Sequence, residues 1–262
     1  MDVSTYLARI GCTVPDAPTD EALAVLHRAH LHTVPFENLD IHRGPPIELN
    51  LARLFEKIVV QKRGGFCYEL NGLFAWLLEA LGFEVERLSA RVYDEDGQPG
   101  PERDHMALAV SAEARWLVDV GFGDSFVSPL RWVEGLEQGG FRLTHRDGRL
   151  CLEQAIEKEV WNVSFDLTDQ ALPLKAFTDM CRYHQTSPDS HFTSKVVCTL
   201  ARPDGRVTLS GQRLIETVNG QRVEKRLDNV AAFRGALESH FGVILPELED
   251  IERLMSIGEA PG

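Results

Sequence analysis

With 262 residues, 44% of them hydrophobic, the chain can bury a large core and has the length of one or two domains. Its formal net charge of -13 repels nucleic acid and anionic lipid, so neither is an expected partner. The five cysteines, at positions 12, 67, 151, 181 and 198, form no CxxC pair and no metal-ligand spacing. An odd, scattered set fits reduced thiols in the cytoplasm and no metal. The start MDVSTYLARIG lacks a basic stretch followed by an apolar core, and no later run approaches a membrane span.

The first third reads as helical. Thr19 or Asp20 can cap a helix through residues 21–27, and after the turn at Gly44-Pro45-Pro46 an apolar pattern runs over residues 51–60. His27 and His30 share helical spacing but bring no third ligand for a metal. Like most histidines of the chain they read as solvated.

The stretch RGGFCYELNG, residues 63–72, then sets two glycines before a cysteine and opens a helix. Leu70, Leu73, Phe74, Leu77, Leu78 and Leu81 recur at steps of three and four, and Gly82 stops the pattern. Cys67 falls in the first turn, where unpaired backbone N–H groups and the macrodipole favour an anion, so its thiolate is expected to be stabilised. The glycines would let the loop turn and leave room beside the sulfur. A nucleophile fits this position. So does a small buried hydrophobe on the same face as Leu70 and Phe74.

From about residue 85 to 166 the texture changes to short alternating runs, ERLSARVY, HMALAV, RWLVDVGF, FRLTHRDGRLCLE and VWNVSFD, which read as the strands of a meander or small barrel. His105 and Asp119 stand in two adjacent apolar runs. With a loop at Ser111-Ala112-Glu113 they oppose each other across the ladder, whereas a two- or four-residue loop turns Asp119 to the other face. The pair suits either an imidazole held by a carboxylate or a purely structural buried polar contact. A helix over residues 176–184, a hairpin turning at Pro203-Asp204-Gly205 and an amphipathic helix in NVAAFRGALESHF complete the chain. The changes of texture divide it into a helical segment 1–85, a β-rich segment 86–185 and a mixed segment 186–262.

RGGFCYELNGLF, with VPFENLDIHRG at residues 34–44, DHMAL around His105, VDVGFGDSF at residues 118–126 and SPDSHF at residues 187–192, resembles the arylamine N-acetyltransferase family of bacterial type, in order and separation over nearly the whole chain. The resemblance implies an α+β fold with an N-terminal helical bundle, a central β-barrel and a C-terminal α/β lid. It also implies a papain-like triad of Cys67, His105 and Asp119. In that family the cysteine takes an acetyl group from acetyl-CoA and passes it to an arylamine or arylhydrazine, a ping-pong reaction in which the backbone N–H of Cys67 is the first candidate oxyanion donor.

By the same resemblance Phe36 and Phe122 would stack on the acceptor ring, unless they are ordinary core. Gly121 and Gly123 would leave room for the pantetheine arm, and Thr208 and Ser210 would contact the coenzyme. Arg63 either pairs with Glu37 or is solvated. The residues before His105, PGPERD, are charged where the family has small or polar ones, and no basic cluster stands ready for the coenzyme phosphates. A cysteine hydrolase or transglutaminase-like enzyme could use the same three residues. A non-catalytic scaffold would keep the fold with an inert thiol.

Overall fold

The computed structural model describes residues 1–257; residues 258–262, the end of the expected third segment, lie outside the described residues. Four helices pack together in the first part, Val3–Arg9, Asp20–Leu31, Leu51–Phe55 and Cys67–Ala80, and a fifth, Leu39–Arg43, lies between the second and third of these in the chain. Thr19 caps the second by accepting the Ala22 N–H, and the third runs on into a π-helical turn at Glu56–Val60. Leu70, Leu73, Phe74, Leu77 and Leu78 of the fourth are fully buried against Tyr6, Leu23, Leu26 and Ile58. Gly82, at φ +91°, follows its end, as the sequence predicts.

A seven-stranded antiparallel sheet follows. Its spatial order is Leu130–Arg131, Arg115–Val118, His105–Ser111, Glu84–Val92, Val160–Ala171, Arg149–Glu157 and Phe141–Arg146. A bridge from Glu134 to Leu143 brings the two edges together, so the sheet nearly closes on a core that includes Leu88, Ala107, Leu117, Leu143, Leu152 and Phe165. The helical run Leu174–Phe177 and Thr178–Thr186 leads to a second, five-stranded sheet. Its order is Phe36–Glu37, Val197–Arg202, Gly205–Ser210, Arg213–Val218 and Gln221–Arg226. Helices Val230–Phe241 and Leu248–Ser256 pack on it through Phe233, Leu237, Ile251 and Leu254.

The edge strand Phe36–Glu37 comes from the N-terminal third and pairs with Val197–Arg202, which stitches the last sheet to the first helices. Among the described residues no helix is long and apolar enough to cross a membrane, and no cluster of three or more His, Cys, Asp or Glu could hold a metal.

Candidate active site

The loop before Cys67 is shaped by close approach to the rest of the chain. A Cβ on Gly64 would lie 2.0 Å from the Pro35 carbonyl oxygen, and one on Gly65 would meet the Glu69 carboxylate at 2.8 Å. The space made by the two glycines is therefore taken by protein, and the expectation that it faces the sulfur is corrected. Glu69 accepts the Phe66 N–H at 3.1 Å, and Lys57 Nζ holds that carboxylate at 2.9 Å.

Arg63 is buried, which corrects the solvated alternative. Its Nη2 donates to Glu37 Oε1 at 2.7 Å and to Asp40 Oδ1 at 2.9 Å, and Lys57 joins Asp40 at 2.9 Å. Burial raises Asp40, but Lys57 and Arg63 outweigh it and hold that carboxyl well below the usual range. Burial pushes Glu69 up to about 7, against the pull of Lys57.

On the other side of the helix start, His105 Nε2 lies 2.7 Å from Asp119 Oδ2, with both residues buried. The ladder pairs Leu108 with Val118 and Ser111 with Arg115, so the loop is residues 112–114, one position later than expected. That slip moves each partner by two places and keeps the face, because strand side chains alternate with period two. His105 and Asp119 thus meet diagonally beyond the end of the ladder. Asp119 Oδ1 accepts two more hydrogen bonds, from Asn71 Nδ2 and the Gly121 N–H, both at 2.8 Å. Asn71 Oδ1 in turn accepts the Val120 N–H at 2.9 Å, so one helix side chain fixes the carboxylate and the chain after it.

Behind Asp119, the His27 Nε2 lies 3.0 Å from the Asp119 carbonyl, and its ring stacks on Phe126. His27 and His30 are wholly buried, not solvated as expected. Burial pushes His27 down to about 4 and His30 down to about 3, so both are neutral imidazoles near pH 7.

Cys67 and His105 open on one cavity of about 470 Å³, within the range of small-molecule sites. Phe36, Phe122, Gly121, Gly123 and Thr208 also line it, with Val92, Asp104, His184, His191, Phe192 and Lys195. Ser210 does not. It ends the strand Gly205–Ser210 opposite Val197, two residues beyond Thr208, and is outside the lining. A Cβ on Gly121 would meet Cys67 Cα at 2.7 Å and Asn71 Nδ2 at 2.8 Å, so its smallness serves packing on the helix start. Thr208 Oγ1 is 2.7 Å from Thr199 Oγ1, which accepts from Arg206 at 3.1 Å. Arg206 also binds the Gly123 carbonyl and, at 2.9 Å, Asp124, tying the last sheet to the loop that follows Asp119.

Burial pushes the Cys67 thiol well above its ordinary value, with Cys181, Asp119 and Asp104 acting the same way and a hydrogen bond from the Met106 backbone against them. The helix terminus alone therefore does not produce the expected thiolate. A reactive sulfur here needs a base, and His105, with Nε2 committed to Asp119, has Nδ1 left for that role.

Sequence reasoning missed Asn71, Asp104, His184 and Arg206. Asn71 carried a readable signal, a lone polar side chain on the buried face one turn after Cys67. The other three become partners only through contacts between segments distant in the chain.

A family profile described as N-acetyltransferase matches residues 20–250. An arylamine N-acetyltransferase of Mycolicibacterium smegmatis is 36% identical over 259 residues, covering 95% of this chain and 94% of its own. A solved M. smegmatis arylamine N-acetyl transferase matches with a TM-score of 0.91 at 34% identity, over 99% of this chain and 100% of that one. The Mycobacterium marinum arylamine N-acetyltransferase, solved in complex with CoA, matches with a TM-score of 0.89 at 31% identity over 98% and 99% of the two chains. The chain belongs to the arylamine N-acetyltransferase family.

Proposed function

We propose that this chain carries an acetyl group from acetyl-CoA to the nitrogen of an arylamine or arylhydrazine in two steps, through a thioester on Cys67. The observation that supports this most is one juxtaposition: a cysteine at a helix start and an imidazole locked to a carboxylate at 2.7 Å line the same cavity. The relatives named above add the substrate class, since they are arylamine acetyltransferases and one was solved with CoA.

In this reading His105 takes the Cys67 proton as the sulfur attacks the thioester carbonyl, and gives it to the departing CoA thiol. In the second half it takes a proton from the attacking amine as Cys67 leaves. Asp119, held by Asn71 and the Gly121 N–H, keeps the ring oriented and favours the imidazolium. Burial raises the thiol, so the thiolate becomes accessible as an ion pair with that imidazolium. The backbone N–H of Cys67 at the helix start is the first oxyanion donor.

Thr208 and Gly123 form one wall for the pantetheine arm, while Phe36 and Phe122 present rings to an aromatic acceptor. Segment 1–85 then supplies the nucleophile, 86–185 the imidazole and carboxylate, and the mixed segment from 186 onward covers the cavity. Five free thiols suit a reducing cytoplasm. A weakly basic aromatic amine or hydrazine is neutral at pH 7, whereas an alkyl amine of pKa about 10.4 is almost wholly protonated. Steady-state rates with an aniline, a hydrazide and an alkyl amine test the scheme. Parallel double-reciprocal lines and discrimination against the alkyl amine are expected; intersecting lines would refute the two-step route.

A further inference from the structure

Asp104 is the charged residue immediately before His105, in the stretch that departs from the family pattern, and the mechanism above gives it no role. Asp104 lines the cavity that Cys67 opens on, and its charge is among those that push the Cys67 thiol up. A bare carboxylate there would disfavour a thiolate by like-charge repulsion. It is not bare. His184, from the helix Thr178–Thr186, places Nε2 3.1 Å from Asp104 Oδ1 and 3.3 Å from the Asp104 carbonyl oxygen. The two side chains are 3% and 13% exposed.

The ring of His184 is held on every side. Its Nδ1 is 3.0 Å from Ser190 Oγ, and its Nε2 faces two acceptors, the Asp104 carboxylate and carbonyl, so Nε2 carries a proton. Tyr68 stacks on one face with ring centroids 6.1 Å apart, and Phe192 meets the ring edge-on at 5.2 Å. The Tyr68 hydroxyl donates to the Arg103 and Asp104 carbonyls at 2.7 and 2.9 Å, which pins the backbone leading into His105. Two imidazoles thus line the cavity, each paired with a carboxylate, one proposed for chemistry and one without a role in it.

We propose that His184 is a positioning residue that acts on Cys67 through Asp104: its Nε2–H binds the carboxylate that shares the cavity with the thiol and limits the negative charge the thiolate meets. The inference rests on Cys67 being the reactive thiol. The ionisable groups that face this pair are Cys67, Tyr68, Arg103, His105 with its partner Asp119, Tyr183 and His191, with Lys195 on the same cavity wall. Burial and the Cys67 side raise Tyr68, so it stays a neutral phenol near pH 7, while burial lowers His191. Neither is a cation beside the Asp104 carboxylate near pH 7.

The test is the pH dependence of alkylation of Cys67 by iodoacetamide, read on the Cys67 peptide by mass spectrometry so that the other four cysteines do not contribute. His184→Phe keeps a ring and removes the donor; its midpoint should rise by about one pH unit, which is about tenfold slower alkylation below the midpoint. His184→Gln, which keeps an N–H, should fall between it and the wild type. Asp104→Asn should lower the midpoint, and His184→Phe added to Asp104→Asn should have no further effect, since the group it acts through is gone.

A purely structural His184 would lower the melting temperature and leave the midpoint in place, and that result overturns the proposal. So does an equal upward shift with Asp104→Asn already present. If His184→Phe does not fold, Asp104→Asn decides alone, because an unmoved midpoint there also overturns it. No acetyl transfer is involved in the assay, so failure of this proposal leaves the acetyltransferase reading intact. A Cys67 that resists alkylation at every pH would instead count against both.

Discussion

Two buried polar groups flank the start of the helix Cys67–Ala80, and they are built to opposite ends. On one side Glu37, Asp40, Lys57, Arg63 and Glu69 bind one another at 2.7 to 3.2 Å. On the other, Asp119 is satisfied by His105, Asn71 and Gly121, but Cys67 and His105 face a cavity. The first group closes on itself and fixes where the loop 63–66 runs. The second is closed only at its carboxylate end, so its reactive atoms stay available. A buried polar network stiffens a fold when every member is satisfied; chemistry requires that one edge be left for the substrate.

The comparison predicts opposite outcomes for charge-removing substitutions on the two sides. Asp119→Asn should lower kcat/KM by about 10³- to 10⁴-fold, roughly 4 to 5.5 kcal/mol, while the melting temperature changes little, because the amide still bonds Asn71 or His105 but no longer sets the imidazole tautomer. Arg63→Met should do the reverse. It leaves Glu37 without its guanidinium and Asp40 with only Arg43 and Lys57, costs about 3 to 5 kcal/mol of stability in chemical denaturation, and should leave the specific activity of the remaining folded protein near that of the wild type. A large activity loss from Arg63→Met at unchanged stability would erase the distinction.

Acid unfolding sharpens it further. His27 and His30 have folded-state values of about 4 and about 3, below the ordinary 6.5, so the unfolded chain binds more protons as pH falls. Their stabilising contribution is complete above pH 6.5 and lost below it, by about 3 kcal/mol for the two between pH 6.5 and 5. Denaturation midpoints across that range should show the slope, and His30→Leu should roughly halve it. A smaller effect is expected of Asn71→Ala, about 1 to 3 kcal/mol, divided between stability and kcat because Asn71 belongs to both the helix and the Asp119 shell.

How much of this could be read from the sequence depends on what each residue's signal is. The apolar face of Cys67–Ala80 was legible because six residues repeat at helical spacing, and the hairpin bearing His105 and Asp119 was legible up to a shift of one loop position. His27 and His30 were misplaced although the signal was present: Leu23, Leu26, His27 and His30 lie at i, i+3, i+4 and i+7, which puts both rings on the buried face of Asp20–Leu31. The strand Gln221–Arg226 had no such signal, since all six residues are exposed and nothing alternates. Glu37 was one of two alternatives for Arg63, but its second partner Asp40 and the partner of Asp104 were not readable, because ion pairs between separate segments leave no period in the chain.

If Cys67 carries the acetyl group between the two substrates, the mass of the protein will show it. After acetyl-CoA is added without an amine and small molecules are removed, the intact protein should be heavier by one acetyl group, located on the Cys67 peptide, with one equivalent of free CoA released and the mass restored on adding an arylamine. Cys67→Ala should show none of this. An unmodified wild-type protein that still acetylates the amine when both substrates are present would contradict the account.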